Sequence, residues 1–116
     1  MSVPETIHVS VVIPAFNRPE ILAGCLEALA AQKTSRPWEA IVVDDGSSDD
    51  LSGVESSFRN RLPLTWVRLP ANGGPARARN AGIEKARGEI VLFTDADCRP
   101  EPGWLDAMAA PFDDPT

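Results

Sequence analysis

Apolar residues follow two rhythms along this chain, one of strands and one of helices. Val9, Val11, Val12 and Ile13 form a β-branched run. It predicts a strand over 8–14, ended by Pro14, which has no N–H for a ladder. Residues 15–19 then read as a loop, with Pro19 suited to the first helical position. From 20 to 32 the rhythm changes. Leu22, Cys25, Leu26 and Leu29 recur at helical spacing and predict a helix that lays this stripe on a sheet. Ile41, Val42 and Val43 are continuous and predict a central strand over 38–43. Ser48 or Asp49 is placed to cap a short helix through Phe58, with Leu51, Val54 and Phe58 on its inner face. Residues 62–69 alternate, Leu64 and Trp66 against Val67 and Leu69, as in a less buried strand. Asn72, Gly73, Gly74 and Pro75 predict a turn into a helix over 75–87, stopped by Gly88. The run over 90–93 is again continuous, as expected of a strand buried on both faces. A last helix is expected over 104–110. Residues 1–6 read as a polar leader and 112–116 as a ragged end.

Strict alternation of strands and helices predicts an α/β fold: a Rossmann-like open parallel sheet with right-handed crossovers and helices on both faces. The doubly wound order is 3-2-1-4, with its switch point between the first and fourth strands. A length of 116 residues, 43% of them hydrophobic, fits a single domain with one core. The net charge of −6 argues against a nucleic-acid surface. No apolar run approaches the roughly 20 residues that span a bilayer, and no signal peptide is visible. The expected setting is cytoplasmic, with any contact to the inner face of a membrane made through a segment not in this chain. Cys25 and Cys98 make neither a disulfide framework nor a zinc set. Cys25 reads as helix core. Cys98 is assigned a packing role in preference to a ligand contact. His8, the single histidine, reads as a strand-end residue.

Parallel strands deliver their carboxyl ends to one edge. Residues 14–17 follow the first strand, Asp44 and Asp45 the second, and Asp95 and Asp97 the fourth. A crevice at the switch point thus has an acidic pair on each side. Hard oxygen ligands on a rigid strand end suit Mg2+ or Mn2+, which leave positions open for phosphate oxygens. The competing reading makes Asp95 and Asp97 turn residues before Pro100. One of Asp44 and Asp45 is expected to be structural, and Asp45 is the better placed to reach the crevice. On the third helix, Ala76, Arg79, Asn80 and Ile83 share a face. With Ile83 against the sheet, Arg79 and Asn80 lean towards the crevice, and Arg77 is solvated. Arg79 then meets either a phosphate or an acidic residue of the chain.

Four segments in this order carry a resemblance: Val9 to Arg18 with Pro14, Ala15 and Asn17; Ile41 to Asp49 with Asp44, Asp45 and Gly46; Asn72 to Gly82 with Gly73, Gly74, Arg79 and Asn80; and Phe93 to Asp97. Together they resemble the family 2 glycosyltransferases of the GT-A fold, over most of the chain. The resemblance implies a half that binds a nucleotide-diphospho-sugar, a UDP- or GDP-sugar. It implies that Pro14, Ala15 and Asn17 line the nucleotide pocket and that Asp45 contacts the base, with Asp44, Arg79 and Asn80 in the same set. It assigns Asp95 to ribose and diphosphate, and Asp97, with Asp95, to the metal.

Family members also carry an acceptor-binding half and a carboxylate base, which an inverting transfer needs to deprotonate the acceptor. Glu101, Asp106, Asp113 and Asp114 are not convincing bases. The chain therefore reads as the donor-binding part alone, catalytically incomplete, with an uncovered flank suited to self-association. The acceptor is unknown. The alternatives are a nucleotide-binding module without catalysis and a sugar-phosphate nucleotidyltransferase. The latter wants a Gly-rich loop after the first strand, which residues 15–19 do not supply.

Overall fold

A computed structural model describes residues 6–113. Most of the expected polar leader and the end of the ragged tail lie outside the described residues. The strands β1 (Val9–Ala15), β2 (Trp38–Asp44), β3 (Leu64–Arg68) and β4 (Ile90–Phe93) form one sheet in the order β3-β2-β1-β4. All three pairings are parallel. Register is fixed by the central pair, with Val9 opposite Trp38 and Ala15 opposite Asp44. Both central strands are almost wholly buried, as their continuous β-branched runs require.

Pleating divides β1 between two cores. Val9, Val11 and Ile13 face Leu22, Leu26 and Leu29 of α1 (Pro19–Ala30), Val54 and Phe58 of α2 (Ser52–Phe58), and Leu105 and Ala109 of α4 (Trp104–Ala109). Val12 faces the other way, with Ile41 and Val43, onto Ala78 of α3 (Pro75–Lys85). Helices thus cover both faces, three on one and α3 alone on the other. A 3-10 turn, Ala110–Asp113, ends the described chain. No helix among the described residues is long and apolar enough to cross a membrane.

The structure corrects four local expectations. The first concerns α3, which meets the sheet through Ala78 and Gly82, whereas Ile83 is 46% exposed. A Cβ at Gly82 would collide with Val12 Cγ1, so the backbones approach closely and small residues take the inner face. Second, α3 stops at Lys85, not 87, because the Arg87 N–H donates to Glu39 Oε2 (2.8 Å) instead of continuing the helix. Third, α2 is not capped by Ser48 or Asp49; Asp50 Oδ1 accepts from the Ser52 N–H (2.9 Å) instead. Fourth, β4 is not buried on both faces. It is an edge strand, α3 packs on β1 and β2, and Phe93 is left 42% exposed.

One network went unnoticed in the sequence. Glu39 is buried at the amino end of the sheet, yet charged. It accepts from Ser10 Oγ (2.6 Å) and from the Arg87 backbone and guanidinium, and Ser10 Oγ in turn accepts from the Gly88 N–H (2.8 Å). Burial pushes the Glu39 pKa up, but the hydrogen bonds from Ser10 and Arg87 outweigh it and hold the carboxyl below its ordinary value. The signal was a lone Glu and a lone Ser inside β-branched strands.

Candidate functional site

The carboxyl edge of the sheet is built by three loops that hydrogen-bond to one another. After β1, Asn17 and Arg18 take left-handed backbone conformations (φ 54° and 59°). Asn tolerates that region better than Arg, so the turn needs holding from outside. The loop after β2 supplies the hold. The Asn17 N–H donates to Ser47 Oγ (2.7 Å), and Asn17 Oδ1 accepts from the N–H groups of Ser48 (2.9 Å) and Asp49 (3.0 Å). The Arg18 N–H donates to Asp49 Oδ2 (3.1 Å). Asn17 therefore clamps two loops, and its residue borders a recess of about 310 Å³ with Phe16, Arg18, Ile21, Ala96 and Asp97.

The two carboxylates after β2 part company. Asp44 is buried, and its Oδ1 accepts from the Ser47 N–H (3.0 Å). It closes the turn and borders none of the recesses described here, the structural place expected of one of this pair. Asp45 is turned to the neighbouring loop. Its Oδ1 accepts from the Gly73 N–H (3.0 Å), and its Oδ2 accepts from the Gly74 N–H (2.9 Å) and Asn72 Nδ2 (3.1 Å). The negative charge sits at the amino end of α3, where the helix dipole favours it. Those N–H groups are thereby taken, so the helix start offers few free donors to a phosphate.

At the carboxyl end of β1, facing the start of α3, lies a cavity of about 330 Å³, lined by Pro14, Ala15, Phe16, Asp45, Asn72, Gly74, Pro75, Ala78 and Asp95. Asp95 reaches it from the turn after β4, whose first residue is tied to the sheet by Thr94 N–H to Val12 O (3.2 Å). The cavity is at the carboxyl edge of the sheet, and Asp45 and Asp95 border it together. Sequence reasoning did not single out Phe16 or Asn72 as lining residues. The available signal for Asn72 was its turn, which must fold back beside Asp45.

Beyond β4 the chain turns sharply, with the Cys98 N–H donating to Asp95 O (3.0 Å). The buried Cys25 thiol of α1 reaches the same carbonyl (3.6 Å), and burial pushes that thiol up to about 12. Cys25 is core, as expected. On the outside of the turn, Asp95, Asp97 and Cys98 are all exposed, with one ligand atom of each within 4.8 Å of the others. Cys98 is not a packing residue; that expectation is corrected. Two carboxylates and a thiol on one tight turn are a donor set that fits a divalent cation.

Arg79 borders a third recess, of about 600 Å³, together with Phe93, Thr94, Asp95, Cys98, Arg99, Pro100 and Trp104. It makes no ion pair among the described residues. Asn80 is exposed and borders none of the three recesses, because α3 is rotated to put Ala78 and Gly82 inward. Its expected inward lean is corrected. Two of the acids weighed as a base are committed elsewhere. Asp106 Oδ1 accepts from Thr34 Oγ1 (2.6 Å) and Arg36 Nε (3.3 Å), and Asp113 pairs with Arg36 (2.6 Å). Arg36 sits beside His8, at the amino end of the sheet, away from the crevice.

Residues 10–116 match the family model described as Glycosyl transferase family 2. The chain is 41% identical to hyaluronan synthase of Pasteurella multocida over 110 residues, 92% of this chain and 11% of that protein. It superposes on Staphylococcus aureus TarS 1-349 in complex with UDP-GlcNAc with a TM-score of 0.84 at 35% identity, covering 92% of this chain and 31% of that one. For the mannosyltransferase PcManGT of Pyrobaculum calidifontis, in complex with GDP-Man and Mn2+, the TM-score is 0.82 at 30% identity, with 94% and 33% covered. The chain thus spans between a tenth and a third of these relatives. Its fold is that of the GT-A glycosyltransferases, and the chain belongs to glycosyl transferase family 2.

Proposed function

We propose that this chain binds the nucleoside diphosphate of a sugar donor and takes part in transferring the sugar to an acceptor. The observation that carries the reading is a cavity at the carboxyl edge of the sheet that both Asp45 and Asp95 border. A base would enter between Pro14, Ala15 and the loop at Asn72, where apolar walls suit a flat ring. Asp45 Oδ1 accepts one hydrogen bond within the protein and keeps capacity for another, from a base N–H. Asp95 lies where ribose and diphosphate would follow. Mg2+ or Mn2+ would be held by Asp97 and Asp95, and when bound it neutralises charge on the departing nucleoside diphosphate. Arg79, free of ion pairs among the described residues and bordering the same acid as the cavity, adds positive charge for the diphosphate. The structural relatives with UDP-GlcNAc and with GDP-Man and Mn2+ support a UDP- or GDP-sugar donor. The general base is not among Asp106 and Asp113, which are tied to Arg36 far from the crevice. Titration calorimetry with UDP and with GDP tests this. Binding in Mn2+, abolished by chelator, is the expected result; no binding of either nucleotide in any metal contradicts the reading.

A further inference from the structure

Asn17 was expected to line the nucleotide pocket, yet it does not border the cavity that Asp45 and Asp95 share. Its amide oxygen is occupied within the protein. Oδ1 accepts from the Ser48 N–H (2.9 Å), the Ser48 hydroxyl (3.3 Å) and the Asp49 N–H (3.0 Å), which uses its whole acceptor capacity. We propose that Asn17 is a positioning residue for nucleotide binding: through Ser47, Ser48 and Asp49 it fixes the loop after β2, and so sets where the Asp45 carboxylate stands, without touching the nucleotide. The proposal rests on the nucleotide reading above and goes beyond it in naming a residue outside the cavity that governs affinity there.

The contacts from Asn17 to the cavity wall are continuous. Ser47 is buried, its Oγ accepts from the Asn17 N–H (2.7 Å), and its own N–H donates to Asp44 Oδ1 (3.0 Å). Gly46 comes next, with φ 71°, and a Cβ there would stand 2.4 Å from the Asn72 nitrogen. Glycine alone meets both demands without strain. Then comes Asp45. Its N–H donates to Ala15 O (2.8 Å), and its carboxylate accepts from the N–H groups of Gly73 (3.0 Å) and Gly74 (2.9 Å). A shift of the loop after β2 therefore moves Asp45 and the Asn72–Gly74 wall together.

The backbone shows why the hold is needed. Asn17 and Arg18 both take left-handed conformations (φ 54° and 59°), which persist only where the surroundings over-determine them. The Oδ1 bonds, with the Arg18 N–H to Asp49 Oδ2 (3.1 Å), supply that determination. A carboxylate placed before the ligand arrives spares binding the cost of ordering it. The rival account is a direct contact from Nδ2, the end of the amide with no partner among the described residues.

Two variants separate these accounts. Asn17→Gly keeps the left-handed backbone and removes the amide. Ser47→Ala removes the hydroxyl that holds the Asn17 N–H, from a buried residue that borders none of the three recesses. UDP is titrated calorimetrically in Mn2+ into the wild type, both single variants and the double variant. The amide resonances of Gly73 and Gly74 are recorded without ligand. Asn17→Gly should weaken UDP about tenfold, and Ser47→Ala should weaken it in the same direction, each on the scale of one or two lost hydrogen bonds. The double variant should be little worse than the weaker single, because both act on one contact path. The Gly73 and Gly74 amides, which neither side chain touches, should shift in both single variants. Asn17→Asp keeps an acceptor oxygen and tolerates the left-handed turn, so it should return those amides to their wild-type positions. Weaker UDP binding in Asn17→Gly alone, with Ser47→Ala unchanged and both amides unmoved, assigns Asn17 a direct contact; it overturns the proposal and leaves the nucleotide reading standing. Unchanged UDP affinity in both single variants overturns the proposal in the same way, whatever the amides do. A wild type that does not bind UDP overturns both.

Discussion

At the residue scale, Asp45 holds a loop and is proposed to meet a base, and experiment separates the two roles. Its carboxylate accepts three hydrogen bonds from the loop at Asn72–Gly74, so it shapes the cavity wall before any ligand arrives. Asp45→Asn removes the charge and places an amide against N–H donors. It should lower stability by about 1.5–3 kcal/mol in urea denaturation, the scale of hydrogen bonds to a charged group, and weaken UDP binding more than tenfold. Asp97→Asn should behave differently. Asp97 is exposed, so stability should stay within about 0.5 kcal/mol while Mn2+-dependent nucleotide binding is lost. Equal loss of stability in the two variants would contradict the division of labour. The contrast was half legible in the sequence. Strand ends placed Asp45 and Asp95 at one edge, because parallel strands leave no other choice. That Asp45, further from its strand, reaches the crevice was legible too; the loop hydrogen bonds to Ser47, Gly73 and Gly74 that fix the two carboxylates were not, because spacing does not carry them.

At the element scale, α3 shows where pattern reading fails and why. Ile83 is the largest apolar side chain of the helix, and a hydrophobic stripe would place it inside. The helix instead presses Ala78 and Gly82 onto the sheet, so close that a Cβ at residue 82 would collide with Val12. That rotation takes Asn80 out to solvent and leaves Arg79 at the recess beside Asp95. Gly82→Ala tests the packing. The added methyl must displace Val12, so a loss of about 1–3 kcal/mol is expected in thermal or urea denaturation, while Ile83→Ser should change stability by less than about 1 kcal/mol. The reverse ranking would mean that the helix faces the other way. The Glu39 network is hard to read for a related reason: lone polar residues in the strands mark the spot, but the partners Ser10 and Arg87 are distant in sequence.

For the whole molecule, the sheet separates buried charge from open charge. Buried charge at its amino end ties β1, β2 and the exit of α3 together, and open charge lies at its carboxyl end, where we propose that the ligand binds. The buried end has a pH signature. Glu39 has its folded pKa below the ordinary 4.5 of a free glutamate, so its stabilisation is fully present above that value and is lost as pH falls through the folded pKa. Glu39→Gln should flatten this acid limb and lower stability at neutral pH by about 1–3 kcal/mol, with the exposed Arg87 guanidinium limiting the loss. Urea melts at stepped pH read both effects. The central claim, that the crevice at the carboxyl end of β1, bordered by Asp45 and Asp95, receives a nucleoside diphosphate, has a direct test in amide chemical-shift mapping of the labelled chain with UDP and Mg2+. The account predicts shifts concentrated at Ala15, Asp45, Asn72, Gly74 and Asp95, with Ser10, Glu39 and Arg36 unmoved. Shifts gathered around Arg36 and the amino end of the sheet, with the crevice silent, would contradict it.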